Sequence, residues 1–232
     1  MAFPNEGRMV LIACVVAGGL AVPLHPIATP VAAAVGGILG LLGLRVWHWS
    51  GLPRLLPSQG SRGASRLMAL ALWWGVGLVL GLVLLLVLRT VIEPGVPSIG
   101  VRIAAAGELP VWRRALIIYV AAVGEEVVFR LLLLSLIAGL IARIIKPWAG
   151  ATSAKAVWCA NVIAALLFAS AHLPAWAGTG HLGIGLVLSV MALNAAAGLV
   201  LGYAFVTRGI VVAMWAHAGG DCAIQLLGPL IT

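Results

Sequence analysis

Charged residues are scarce in this chain of 232 residues, and that scarcity excludes a water-soluble domain. Only 9% of the residues are charged and 63% are hydrophobic, and the mean hydropathy is +1.17. A soluble domain is about a quarter charged and about half apolar. The composition therefore predicts an all-α integral membrane protein, a single polytopic helix bundle whose surface largely contacts the lipid bilayer.

Several other classes of protein are excluded by what the chain lacks. Its three cysteines all lie within apolar runs, so neither a disulfide framework nor a zinc-finger spacing is present. No basic stripe carries interleaved aromatic residues, so we expect no nucleic-acid partner despite a net charge of +8. There is no HExxH zincin motif, and no Ser or Cys stands beside a base at catalytic spacing. The positive charge suits anionic lipid headgroups instead.

Seven apolar runs have about the length of a membrane span, which is about 20 residues for a helix. On that measure the spans run from about Met9 to Leu24, Ala28 to Trp47, Leu67 to Ile92, Val111 to Ile141, Ala156 to His172, Leu182 to Val206 and Ile210 to Leu227. The first is short, and we interpret it as a retained span because no cleavage pattern of a signal peptide follows it. The sixth contains a lone polar residue, Asn194.

The third span and the segment after it differ in composition. Gly75, Gly77 and Gly81 lie along the span, where small residues allow helices to approach closely. From Arg89 to Arg114 we expect a loop, because three prolines interrupt the segment. No internal repeat is evident, so the chain is interpreted as one domain.

Lys and Arg residues are distributed unequally between the two sides of the predicted bundle. With seven crossings, nine of them lie on the side of the amino terminus and four on the other side. Cytoplasmic loops carry the excess of positive charge. We therefore expect a cytoplasmic amino terminus, in a bacterial inner membrane. All four opposing residues lie in the loop from Arg89 to Arg114.

The fourth span carries a concentration of charge. Glu125 and Glu126 are two of only six acidic residues, and Arg130 follows within a run that is almost all apolar from Ala115 to Ile141. A charge near the bilayer centre costs roughly 2.5–3.5 kcal/mol on insertion scales and usually faces a protein interior or a wet cavity. On a helix Glu126 and Arg130 can pair, whereas Glu125 points about 100° away. A structural ion pair would explain Glu126 and Arg130 but not Glu125.

Two later spans contain histidines. His172 closes the fifth span, with Phe168 one turn earlier and Asn161 three turns earlier on the same face. Alone, His172 is explained by anchoring at the membrane interface. In the seventh span His217 and Asp221 lie one turn apart on one face, beside small residues that leave room for a site. The alternative explanation of that pair is a hydrogen bond that holds helices together.

Taken together, six polar residues on three spans form a set suited to hydrolysis: Glu125, Glu126, Arg130, His172, His217 and Asp221. A bundle that brings them together would surround a wet cavity with the groups needed to activate water and to stabilise an oxyanion. Imidazole and carboxylate are equally the usual ligands of zinc, and the candidate ligands of a metal ion are Glu125, His172 and His217.

The chain resembles the CPBP family of CAAX proteases and bacteriocin-processing intramembrane proteases (the Abi family, relatives of type II CAAX prenyl endopeptidases) through three motifs in order: Glu125-Glu126-x-x-x-Arg130, Phe168-x-x-x-His172 and His217-x-x-x-Asp221. The resemblance covers roughly Val111 to Leu227, the expected catalytic core. It leaves residues 1–110, with the first three spans, as a variable part.

The resemblance implies an intramembrane endopeptidase with a role for each motif residue. Glu125 resembles the general base that activates the attacking water. Glu126 resembles the acid that supports it, and Arg130 the partner that orders both. His172 resembles a second group that contacts the water or a metal.

The remaining motif residues are assigned in the same way. His217 and Asp221 resemble the pair that stabilises the oxyanion or completes the site. Phe168 and Asn161 are candidates for substrate binding. We favour a glutamate mechanism without a cofactor, because one basic carboxylate and two histidines suffice for peptide hydrolysis. A divalent metal such as zinc is the alternative.

The expected topology indicates where the substrate enters. His172 lies near the outer end of the fifth span, so the cavity is expected to open to the outer face. The expected partners are the lipid bilayer and a membrane-associated or exported protein, cleaved for example at a carboxyl-terminal anchor. Two other functions stay open: a non-catalytic bacteriocin-immunity or scaffold protein, and a small ion- or proton-coupled transporter. The complete motif set weighs against the first, and the lack of inverted halves against the second.

Overall fold

The computed structural model describes residues 5–22, 26–52, 55, 63–144, 153–177 and 183–231. Within these ranges the backbone contains no strand, which confirms the all-α class. The α-helices are α1 (Asn5–Leu20), α2 (Ala28–Ser50), α3 (Gly63–Val87), α4 (Ser98–Gly107), α5 (Val111–Glu126), α6 (Ser135–Ile144), α7 (Ala154–Ala171), α8 (Leu173–Ala177), α9 (Ile184–Arg208) and α10 (Ile210–Cys222).

Several helices continue into π-helical segments, where backbone hydrogen bonds reach one residue further than in an α-helix. Leu88–Ile92 continues α3, Val127–Leu134 joins α5 to α6, and Ala223–Leu227 continues α10. In the second of these the Ser135 N–H donates to the carbonyl of Arg130, five residues earlier. Such segments are frequent at functional sites, and this one directly follows the paired glutamates.

Six helices in the described part of the chain have the length and composition to cross a membrane: Ala28–Ser50, Ser65–Gly95, Val111–Ile144, Ala154–Trp176, Ile184–Arg208 and Ile210–Leu230. They correspond to the second to seventh predicted spans. Helix α1 has 16 residues, about 24 Å at 1.5 Å per residue, less than the roughly 30 Å hydrocarbon core. The predicted end of the first span, at Leu24, lies outside the described residues.

The segment predicted as a loop between Arg89 and Arg114 contains helix α4, so that prediction was wrong in part. Pro97 caps the start of α4, a position that proline tolerates because the first N–H groups of a helix have no intrahelical partner. Ile99 and Ile103, one turn apart, are buried in a cluster with Leu85 of α3 and two residues of α9. Helix α4 is therefore held across the end of the bundle by a short apolar face.

Glycines set the register of the two helix pairs that carry the site. A Cβ atom at Gly77 would overlap the backbone of Ala216, and one at Gly81 would overlap Gly220, so α3 and α10 run parallel in close contact. Close approach of this kind is the usual role of small residues between membrane helices. By contrast, nothing lies within 4 Å of a Cβ atom at Gly75.

Helices α7 and α9 run antiparallel. Gly198 of α9 lies against Ala165 and Phe168 of α7, and Gly202, one turn later, lies against Asn161, one turn earlier. These contacts fix which residues of the two helices share a depth in the bundle.

Candidate active site

The two adjacent glutamates face different surroundings, as their 100° separation on the helix predicts. Glu126 is fully buried: its Oε1 lies 3.1 Å from Arg130 Nη1 and 2.8 Å from His217 Nδ1. The predicted pair of Glu126 with Arg130 is thus present. The contact to His217 links α5 to α10 directly.

Arg130 connects this carboxylate to α7 and α9. Its Nη2 donates a hydrogen bond of 3.3 Å to the Gly198 carbonyl. Its guanidinium lies 4.4 Å from the centre of the Phe168 ring, a cation–π contact. Only 2% of the Arg130 side chain is exposed. The arginine therefore has a charged partner, an aromatic partner and a backbone partner on three different helices.

Glu125 faces both histidines. Its Oε2 lies 3.8 Å from His172 Nε2 and 3.7 Å from His217 Nε2. Both separations exceed a hydrogen bond, and no donor of the described residues reaches this oxygen. Catalytic contacts are often long in a substrate-free enzyme and shorten when the substrate binds. About a third of the Glu125 side chain is exposed, against none of Glu126.

The hydrogen-bond network assigns the tautomer of both imidazoles. His172 Nδ1 lies 2.8 Å from the Phe168 carbonyl, which only accepts, so this nitrogen carries the hydrogen. His217 Nδ1 lies 2.8 Å from Glu126 Oε1 and donates to that carboxylate. In both rings Nε2 is the remaining nitrogen, and it faces Glu125. A partner that fixes the tautomer and orientation of a functional histidine is a common arrangement.

Asp221 completes the polar cluster. Its Oδ2 lies 3.7 Å from His217 Nε2, one turn along α10, so the predicted shared face of this pair is present. The ring of Phe168 meets those of His172 and His217 edge-on, with centroids 4.6 and 6.0 Å apart. An aromatic wall thus covers one side of the imidazoles.

A cavity of about 350 Å³ contains these groups. Its polar lining includes the side chains of Glu125, His172, His217, Asp221, Asn194, Gln225 and Arg102. At one end it reaches α4 and α8, where Arg102 donates to the Ala175 carbonyl and lies 4.3 Å from the Trp176 ring centre. A second, almost wholly apolar cavity of about 460 Å³, between the α1–α2 hairpin and α5, borders Glu125 from the other side.

Asn161 does not line the site. It borders a separate cavity of about 210 Å³, and its Nδ2 donates to the Leu199 carbonyl at 3.1 Å. Helical periodicity places Asn161 and His172 on one face, but 11 residues separate them by about 16 Å along the axis. The structure therefore gives no support to Asn161 as a substrate-binding residue, whereas Phe168 borders the cavity.

The side chains proposed as zinc ligands are Glu125, His172 and His217. Within the described part of the chain, no group of three or more His, Cys, Asp or Glu residues is arranged to hold a metal ion. The zinc alternative stays a prediction, as does the glutamate mechanism without a cofactor.

Sequence reasoning left three polar cavity residues without a role: Arg102, Asn194 and Gln225. Asn194 was visible as a lone amide within an apolar span, which was its signal. Arg102 was hidden in a segment interpreted as a loop, and Gln225 near the end of a span gave no distinguishing pattern.

Six membrane-length helices that enclose paired glutamates, an arginine and two histidines define an integral membrane protein with a buried polar centre of hydrolase type. Residues 107–223 match the family model of type II CAAX prenyl endopeptidase Rce1-like proteins, and the chain belongs to that family. No curated protein and no solved structure matches the chain significantly. The matched region contains every residue of the three motifs, and membership supports a CAAX-type intramembrane endopeptidase.

Proposed function

We propose that the protein is an intramembrane endopeptidase that hydrolyses a peptide bond of a membrane-associated or exported protein with water activated by Glu125. One observation carries this proposal: a partly exposed carboxylate faces the Nε2 atoms of two histidines, 3.7 and 3.8 Å away, inside a cavity among membrane helices. A base of this kind accelerates a reaction typically 10²–10⁴-fold.

The proposed reaction needs no covalent intermediate. The water oxygen attacks the scissile carbonyl carbon while Glu125 takes one water proton, which gives a tetrahedral intermediate. Glu125 then passes that proton to the leaving nitrogen, the C–N bond breaks, and the products are a carboxylic acid and an amine. An unprotonated Nε2 of His172 or His217 accepts the second hydrogen of the water and so holds the water beside Glu125.

The buried groups hold this arrangement in place. Glu126 accepts the Nδ1 hydrogen of His217 and keeps Nε2 turned toward Glu125. Arg130 compensates the charge of Glu126 and ties it to α7 and α9. Asp221 lies beside His217 and limits its movement.

The two cavities that border Glu125 support a membrane-derived substrate. The polar cavity has room for the reacting peptide group, and the apolar cavity beside α1 and α2 suits hydrophobic side chains. The polar cavity extends toward α4 and α8. With the amino terminus in the cytoplasm of a bacterium, that end faces the outer leaflet.

The test compares membrane-protein termini by mass spectrometry in cells that express the wild-type protein, Glu125→Gln or Glu108→Gln. Glu108 is an exposed carboxylate outside the cavity, which makes its variant the matched control. A terminus present with wild type and Glu108→Gln, and reduced at least about 100-fold with Glu125→Gln, is the expected result. Equal termini from wild type and a folded Glu125→Gln variant would refute the proposed chemistry.

Orientation has its own test. In a variant without the native cysteines, Leu173→Cys on α8 is expected to react with a membrane-impermeant thiol reagent in intact cells. Labelling only after the cells are opened would place the cavity mouth on the cytoplasmic side.

A further inference from the structure

The proposed reaction creates a negative charge, and none of the motif residues that line the cavity is a permanent hydrogen-bond donor. The carbonyl oxygen becomes an oxyanion in the tetrahedral intermediate and needs N–H or O–H groups aimed at it. Ionised Glu125 and Asp221 only accept hydrogen bonds. His172 and His217 have their Nδ1 hydrogens committed to Phe168 and Glu126. Either ring donates through Nε2 only after it has taken up a proton.

Asn194 lies at the depth of the histidines. Gly202 of α9 lies against Asn161 of α7, and Gly198 lies against Ala165 and Phe168. Each turn back along α9 therefore corresponds to one turn forward along α7. One turn beyond Gly198, Asn194 reaches the level of the last turn of α7, between Phe168 and His172, and it is one of the residues that line the same cavity as Glu125.

The amide of Asn194 is oriented and keeps a free hydrogen. Its Nδ2 donates one N–H to the Val190 carbonyl at 2.8 Å. An amide nitrogen carries two hydrogens. No acceptor among the described residues takes the second one, so it is left for a ligand in the cavity. The bond to Val190 is to the same helix, one turn away, so it orients the side chain without joining α9 to another element.

The other two polar residues of the cavity are less suited to this role. Arg102 is engaged by the Ala175 carbonyl and the Trp176 ring at the α4–α8 end. Gln225 lies one turn beyond Asp221, in the π-helical segment that continues α10 past the cluster. Among the polar residues that line the cavity, Asn194 is thus the uncharged donor that lies level with the turn carrying His172.

We propose that the Asn194 side-chain amide donates a hydrogen bond to the carbonyl oxygen of the scissile peptide and stabilises the oxyanion. The inference rests on the proposed function. It adds an amide donor on α9, which is outside the three motifs, to the acid and imidazole groups of α5, α7 and α10.

The test measures kcat and KM of purified protein on a synthetic peptide that spans the cleavage site found by the comparison of termini. Asn194→Leu keeps the approximate size and removes the donor. We expect kcat to fall about 10²–10³-fold, the usual effect of losing one oxyanion donor, with KM within about threefold. Ser189→Ala is the matched control, because Ser189 makes the same kind of bond to its own helix, to Gly185 at 2.7 Å, outside the cavity.

A second measurement separates transition-state stabilisation from substrate binding and from misfolding. Peptide affinity is measured in the inactive Glu125→Gln background, with and without Asn194→Leu, and equal affinities are expected. If Asn194→Leu is unstable in detergent, Asn194→Asp takes its place, since it keeps the size and lacks the N–H. A folded variant at Asn194 whose kcat stays within threefold of wild type overturns the proposal. A loss of peptide affinity as large as the loss of kcat also overturns it, because the residue would then bind the substrate rather than the transition state. If the Glu125→Gln variant is active, Glu125 is not the general base. The effect of Asn194→Leu on kcat is then still interpreted on its own.

Discussion

Replacing Glu126 by Gln is expected to destabilise the protein more than replacing Glu126 and Arg130 together. In Glu126→Gln the amide oxygen still accepts from His217, but Arg130, with 2% of its side chain exposed, keeps an uncompensated charge. Removing one partner of a buried pair typically costs about 3–5 kcal/mol. For a chain of this size such a loss corresponds to a drop in melting temperature on the order of 10 °C.

The double variant Glu126→Gln with Arg130→Met removes both charges. It still loses the cation–π contact to Phe168 and leaves the Gly198 carbonyl without its donor, losses of about 1 kcal/mol each. We therefore expect the double variant to be about 2 kcal/mol destabilised, less than Glu126→Gln alone. The double-mutant cycle gives the coupling between the two sites.

Thermal unfolding in detergent, followed with a thiol-reactive dye that reaches the buried Cys14 only after unfolding, provides the assay. The pair Arg89–Glu93 has the same spacing and an N–O distance of 2.8 Å, and 17% and 27% of its side chains are exposed, against 2% and none for Arg130 and Glu126. Its variant Glu93→Gln is the control and should cost less than Glu126→Gln, because water screens a more exposed pair. If the losses of stability in the single variants at Glu126 and Arg130 add up to the loss in the double variant, the uncompensated charge of Arg130 is not the cause of the destabilisation.

Three further predictions concern packing, chemistry and metal. Gly77→Ala should destabilise the protein by about 1–3 kcal/mol, because its Cβ atom meets the Ala216 backbone. The control variant Gly75→Ala should be neutral or slightly stabilising. Equal unfolding temperatures for the two variants would contradict this packing. His172→Ala should lower kcat about 100-fold while the unfolding temperature stays near that of wild type, because the hydrogen bond that its ring makes within the described part of the chain goes to its own helix, at Phe168. A matching loss of stability would indicate a structural role. Chelation with 1,10-phenanthroline should leave peptide hydrolysis unchanged, and elemental analysis should find zinc well below one ion per chain; activity that is lost on chelation and restored by zinc would replace the glutamate mechanism.

Helical periodicity was sufficient to predict the relations within one helix. Glu126 and Arg130 pair, Glu125 lies on another face, and His217 and Asp221 share one. These follow from residue spacing alone, since the geometry of an α-helix is nearly invariant. The apolar runs likewise predicted the membrane-length helices, because the thickness of the bilayer fixes their length.

Relations between helices were beyond the sequence. Residue spacing gives the distance of Asn161 from His172 along their common helix, but it does not give the depth of Asn194, which lies on another helix. Depth depends on register, which the backbone contacts of Gly198 and Gly202 set in three dimensions. The bond between His217 and Glu126 joins residues 91 positions apart, and no local pattern encodes it.

Helix α4 was missed for a different reason. Prolines on both sides favoured a loop, and its apolar face consists of only Ile99 and Ile103. Burial against Leu85 stabilises the helix, and this tertiary contact outweighs the local signals.

The parallel contact between α3 and α10 makes the amino-terminal half part of the enzyme's working structure. Helix α3 lies outside residues 107–223, yet its backbone contacts the two glycines that directly precede Asp221. A fragment cut at the boundary of the matched region would expose this glycine face to lipid and leave the helix that carries His217 free to tilt. Such a fragment would keep all three motifs and lose the alignment on which they depend.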